Sequence, residues 1–172
     1  MYFVATAPTG PQGRVNVSPK GYRDTFAVLD DTTVGYLDLD GSGVETIAHL
    51  RQNGRVTIMF CSFTRSAKIL RLYGTGRVVL PSAPEWASLV GHFGPHPGVR
   101  SVIVVSLDLI VDSCGYSVPT MTEVSERDLL DRVARQPNIV ATRIDRAGAG
   151  RRSIDEIPAL APNETDPAHQ HT

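Results

Sequence analysis

Over the first 115 residues, apolar and polar positions mostly alternate with a period of two, the repeat of a strand with one buried face. YFVATAP and RVNVSPKG are two short strands joined by the Gly- and Pro-bearing turn TGPQG. FAVLDDTTVGYLDLDG is a hairpin turning at Asp30-Asp31. RVTIMFCSF and KILRLYGTGRVVL are two further strands, the first largely buried. Gly74 and Gly76 within the second predict a bulge or a barrel corner. RSVIVVSLDLIVDSCG is the longest strand. It places Val102, Val104, Ser106 and Asp108 on one face, opposite Ile103, Val105 and Leu107.

Three stretches switch to the helical repeat. Ser42 and Glu45 form a capping box ahead of Ile47 and Leu50, and Asn53-Gly54 supplies a left-handed stop. In SAPEWASLVGHFG, Ser82 and Glu85 form a second box, Pro84 fits the first turn, and Trp86, Leu89, Val90 and Phe93 share one face. SERDLLDRVARQ is a third helix, with Ser125 as N-cap and Leu129, Leu130 and Val133 on its buried side. The pattern fades from Pro137 onward; RAGAGRRS reads as a flexible turn. One domain over residues 1–157, followed by a mobile tail over 158–172, is the expected organisation. Six or more strands with a few helices define a mainly β fold with peripheral helices, a small closed or nearly closed antiparallel barrel.

Composition narrows the function classes. A chain of 172 residues is long enough for one domain with a real core. A formal net charge of −1 speaks against a nucleic-acid partner, which calls for a basic stripe. No apolar run approaches the ~20 residues that cross a bilayer. Cys61 lies in an apolar strand and Cys114 in a Ser-Cys-Gly turn; two such cysteines make no disulfide framework, so a reduced, cytoplasmic protein is the simpler reading.

Candidate chemistry gathers at Gly41-Ser42-Gly43, where a strand hands over to a helix. Glycines there let a ligand approach the backbone, and the helix start offers unpaired N–H groups to an anion. Thr46 adds a hydroxyl one turn in. Lys68 and Arg71 alternate with apolar residues on a strand. Asp38 and Asp40 flank the turn and read as turn chemistry and solvation; His49 reads as a polar-face residue of the helix. His92 and His96 flank Gly-Pro without a third ligand at metal spacing, so no metal site is expected. There is no nucleophile elbow, dinucleotide fingerprint or Walker loop, and no residue is assigned as catalytic.

YLDLDGSGVETIAHLRQNGR, IMFCSF and ILRLYG, preceded by VNVSPKG, together resemble the pyridoxamine 5'-phosphate oxidase-like family over Tyr2 to Leu80. The resemblance implies a split β-barrel of the FMN-binding type, a homodimer with two flavin sites at its interface, and a flavin-dependent oxidoreductase acting on a small molecule. It implies Lys20 as a phosphate ligand, with Asn16 and Ser18 on the same wall and Gly41, Ser42, Gly43, Thr46, Lys68 and Arg71 completing the cofactor set. Arg14 is near the place of a family arginine on the first phosphate-side strand. Family members also carry a helix ahead of the first strand, so either the chain starts at that strand or that helix is missing. Two departures stand out. Gly43-Val44 replaces an Arg-Lys pair, and Ile69 replaces a glutamine that bonds the flavin ring. With no clear counterpart of the substrate-phosphate Arg–His motif, the expected activity is flavin oxidoreduction other than pyridoxamine phosphate oxidation itself. The deazaflavin F420 is the alternative cofactor, and a non-enzymatic flavin- or haem-binding module the alternative role. Cys114-Gly115-Tyr116 recurs in the subgroup and is a candidate lining of the ring pocket. The Arg100–Ile110 stretch is the expected dimer interface, because both of its faces are apolar and only one can face the barrel.

Overall fold

A computed structural model describes residues 1–41, 43–123, 125–136 and 151–164. Within them lie strands β1 Tyr2–Thr6, β2 Asn16–Lys20, β3 Phe26–Asp30, β4 Thr33–Leu39, β5 Arg55–Cys61, β6 Lys68–Val79 and β7 Val99–Cys114. They form one sheet in the order β2-β1-β5-β6-β7-β4-β3, antiparallel at every step. The two ends of this sheet are brought together by side chains. The Tyr2 ring on β1 meets Phe26 on β3 at 5.3 Å and Tyr36 on β4 at 5.8 Å, both edge-on. Lys20 on β2 reaches Asp38 on β4 at 3.6 Å. The sheet is thereby rolled into a barrel with a seam, and aromatic pairs of this geometry add to the area they bury.

Burial alternates along β1 and β2, while β4 and the first half of β7 are buried on both faces. Val4, Tyr36, Ile58, Ile103 and Val105 point into the barrel and are wholly buried, together with Ile47 and Ala48 of helix α1, Glu45–Asn53. A second cluster lies outside the sheet. Leu37, Val79, Val102 and Val104 pack under Trp86, Leu89, Val90 and Phe93, from helix α2, Trp86–Val90, and the turn after it. The first half of β7 is therefore apolar on both faces for a reason within one chain: barrel core on one side, α2 on the other. Apolar character on both faces therefore needs no second copy at Val102 and Val104, which narrows the stretch expected at a dimer interface to the residues beyond them. Only beyond Leu107 does β7 lose its cover, with Leu109 and Ile110 about half exposed, at 55% and 54%.

The predicted bulge is present. The β6–β7 register shifts between Tyr73 and Gly74, leaving Asp108 as the extra residue, so the alternation along β7 breaks there. A Cβ at Gly74 would overlap the Ser106 carbonyl oxygen, so a glycine is needed at this close approach. Gly54 ends α1 at φ 71°, its N–H donating to the Leu50 carbonyl at 3.0 Å, as Asn53-Gly54 predicts.

The helix starts differ from expectation. Helix α1 begins at Glu45 with Val44 in the N-cap position and no side-chain cap; Ser42 lies outside the described residues. Glu85, not Ser82, occupies the N-cap of α2, which is only five residues long, and it pairs with Arg77 at 2.8 Å. Helix α3, Leu129–Ala134, starts after Asp128 rather than Ser125, and Leu129 is exposed. His49 is also not on a polar face: it is buried, with Nδ1 hydrogen-bonded to Thr6 Oγ1 at 2.9 Å.

The larger correction concerns residues 158–164, expected in a mobile tail. Ala159 and Leu160 are buried in the barrel's own core cluster, with Ile157 packed against it. The Ala159 N–H donates to the Arg151 carbonyl at 2.8 Å. Glu164 accepts two hydrogen bonds from the Arg51 guanidinium of α1, at 3.0 and 2.9 Å. Residues 137–150 and 165–172, which include most of the predicted flexible turn, lie outside the described residues.

Candidate functional site

A cleft of about 350 Å³ opens at the junction of β2, the turn from β4 into α1, and the start of β7. It brings together Asn16, Ser18, Lys20, Gly41, Gly43 and Thr46, six of the nine residues proposed from sequence as cofactor ligands. Alternation along β2 does part of this. Asn16, Ser18 and Lys20 share the inward face, while Val17 between them is exposed. A hydrogen-bond chain links this face to the helix: Ser18 Oγ donates to Asn16 Oδ1 at 3.2 Å, and Asn16 Nδ2 donates to Thr46 Oγ1 at 3.3 Å.

Two residues of the cleft were missed by sequence reasoning. Asp38, expected to be solvated, is buried at the inner wall, and Arg100 meets it. Arg100 Nε donates to Asp38 Oδ2 at 2.8 Å, Ser101 Oγ donates to the same oxygen at 3.2 Å, and the Arg100 NH2 group donates to the Gly43 carbonyl at 3.0 Å. Burial alone would raise the Asp38 carboxyl; the charges of Arg100 and Lys20 and the hydrogen bonds from Arg100 and Ser101 outweigh it and hold it below the usual carboxylate range. The available signal was a charged residue at the end of a strand whose other members are core positions, opposite an arginine at the start of the longest apolar run.

The lining is balanced in formal charge, Lys20 and Arg100 against Asp38 and Glu45, but the two signs are not equally presented. Side-chain exposure is 21% for Lys20 and 13% for Arg100, against 1% for Asp38. Glu45 Oε1 accepts the Ile154 N–H at 3.1 Å. Lys20 is the more open cation of the wall; the Arg100 guanidinium is engaged by Asp38 and lies 3.8 Å from Asp40, whose side chain is 38% exposed.

Lys68 and Arg71 do not line this cleft. They lie on β6, opposite Cys114 and Val111 of β7, and Arg71 NH1 donates to Ser113 Oγ at 2.9 Å. Cys114 is a free, exposed thiol beside them. Arg14 is also elsewhere, its guanidinium and backbone N–H both bound to Asp155. His96 is held between Asp24 at 3.0 Å and Asp131 at 3.3 Å and stacks on Tyr22. Among the described residues no cluster of three or more His, Cys, Asp or Glu side chains could hold a metal ion, and no helix is long and apolar enough to cross a membrane.

An antiparallel split barrel with a cleft at the strand-to-helix junction defines the FMN-binding split-barrel fold. A crystal structure of a Lactobacillus delbrueckii protein, provisionally described as a pyridoxamine 5'-phosphate oxidase, superposes with a TM-score of 0.50 at 19% identity, covering 64% of this chain and 82% of that one. An FMN-binding protein from Syntrophomonas wolfei gives a TM-score of 0.47 at 12% identity, covering 73% and 78%. Residues 1–114 match the family model for pyridoxamine 5'-phosphate oxidase, and the chain belongs to that family. The pyridoxamine 5'-phosphate oxidase family protein ustO of Aspergillus flavus is 46% identical over 125 residues, 70% of this chain and 49% of that protein. The chain thus spans about half the length of the curated relative it matches.

Proposed function

We propose that the chain is an FMN-dependent oxidoreductase that works as a homodimer on a small-molecule substrate and holds the cofactor phosphate in the β2–α1 cleft. The observation that carries this reading is the convergence of Asn16, Ser18, Lys20, Gly41, Gly43 and Thr46 on one cleft. These residues fit a phosphate: an ammonium, a hydroxyl chain, and backbone N–H groups at a helix start that no side chain caps among the described residues. When bound, FMN supplies the redox chemistry, and the protein supplies position and electrostatics. Lys20 neutralises phosphate charge, while Thr46, Asn16 and Ser18 keep the wall polar and fixed. The bare ends of β6 and β7, with Leu70, Leu109 and Ile110 exposed, are the surface a second copy would cover.

Titration of apoprotein with FMN, followed by quenching of flavin fluorescence, tests the reading. Lys20→Ala should raise Kd by roughly 5- to 150-fold, corresponding to about 1–3 kcal/mol for a hydrogen bond to a charged group. Wild-type affinity in the variant defeats the phosphate assignment. Binding of F420 in preference to FMN would keep the cleft and replace the cofactor.

A further inference from the structure

Arg100 is the extra residue of a second β-bulge. Asp38 pairs with Ser101 and Leu39 pairs with Val99, so Arg100 has no partner in the β4–β7 ladder. A bulge releases a side chain from the pleat and re-aims it. Here the released guanidinium runs along the cleft wall, where it binds Asp38 on β4 and the Gly43 carbonyl in the turn before α1. Asp38 in turn faces Lys20 on β2 at 3.6 Å. One buried carboxylate therefore ties together three elements: the strand carrying Lys20, the strand carrying Arg100 and, through Arg100, the glycine turn.

We propose that Asp38 and Arg100 form a positioning pair that sets the distance between Lys20 and Gly43, and so the shape of the anion-binding wall. The proposal rests on the cleft being the cofactor phosphate site. Fold stability alone does not account for the pair. β4 and β7 are already in register from Thr33 to Asp38, and a buried ion pair adds little that a packed apolar pair would not. What apolar residues could not supply is the fixed fork of donors that reaches two acceptors at once.

Arg100→Lys separates geometry from charge, because an ammonium keeps the charge and loses the fork. Two measurements are needed. The first uses no cofactor: backbone ¹⁵N order parameters at Gly43 and Val44 should fall toward the ~0.6 of flexible backbone, while those of β1 and β5 stay as in the wild type. The second is FMN affinity, for which Kd should rise about tenfold or more. If Arg100→Lys fails to fold, Asp38→Asn, which keeps Arg100 and removes the carboxylate bound to its Nε while leaving Asp40 at 3.8 Å, gives the same readouts. Unchanged order parameters at Gly43 and Val44 overturn the proposal, as does a loss of order spread evenly over the barrel. Should Lys20→Ala leave FMN affinity untouched, the phosphate reading falls, and the cofactor-free measurement still decides whether the clamp exists.

Discussion

Leu160→Ala is the sharpest perturbation of the fold, because it asks whether residues 158–164 are part of the barrel or hang from it. The Leu160 side chain is 7% exposed and belongs to the same core cluster as Val4, Ile47 and Ile58. Truncating a buried leucine removes its transfer free energy and leaves a cavity, at a cost of about 2–5 kcal/mol. For a chain of this size, each kcal/mol moves the melting temperature by roughly 2–4 °C, so a fall of about 4–20 °C is expected. Arg51→Ala is the matched control. It removes the fork to Glu164, a partly exposed pair with Arg51 at 36%, whose kind contributes about 0.2–1 kcal/mol. Urea unfolding reads both, provided the slope is unchanged so that the midpoint reports stability. A mobile segment would make Leu160→Ala nearly silent, within about 0.5 kcal/mol of wild type. That result, or an Arg51→Ala loss larger than the Leu160→Ala loss, would refute the docking of residues 158–164 as a core element.

Three further outcomes follow from particular contacts. Burial pulls the His96 imidazole down, but the hydrogen bonds and charges of Asp24 and Asp131 win and raise it above its ordinary value. Its contribution is then complete below the unfolded value of about 6.5 and is lost as pH rises through the raised folded value. The wild type should therefore lose more stability than His96→Gln between about pH 6 and pH 9, and equal losses in urea midpoint would remove His96 from that role. Ser82→Ala should change stability by less than about 0.5 kcal/mol, since Glu85 and not Ser82 sits at the start of α2; a loss near 1 kcal/mol would restore the capping box. Sedimentation at micromolar concentration should give a dimer, and Leu109→Asp with Ile110→Asp should shift it to monomer without unfolding it. A monomeric wild type that binds FMN tightly would separate the cofactor site from any interface.

Strands were legible because alternation is a local signal: each of the seven falls where the period-two runs lie, and the two special glycines, Gly54 and Gly74, declare themselves by needing a left-handed φ and a close backbone approach. Helix starts were less legible. A serine three residues before a glutamate satisfies the capping pattern, yet Glu85 is drawn to Arg77 and Glu45 to the Ile154 N–H, partners 8 and 109 residues away in sequence. The docking of Ala159 and Leu160 left no periodic trace. A short segment without regular structure can still fill a hole in a core, and only the hole identifies it.

The site was half legible for a related reason. Asn16, Ser18, Lys20 and the glycine turn carry a pattern in sequence order, and the fold brings them together. Lys68 and Arg71 carry the same kind of pattern, yet β6 holds them beside Ser113 and Cys114, out of the cleft. Asp38 and Arg100 are 62 residues apart and were individually unremarkable: one looked like turn chemistry, the other like the first residue of an apolar strand. Their meaning depends on the bulge that leaves Arg100 outside the ladder, and a bulge between β4 and β7 is a property of the pair of strands rather than of either one. Gly43-Val44, standing where the family pattern has two cations, looks like a loss of positive charge when read along the chain. In space the same turn has a guanidinium bonded to its Gly43 carbonyl and an ammonium on the facing strand. The placing of cations on this wall is therefore a tertiary property, organised around one buried aspartate, and it can persist when the local motif does not.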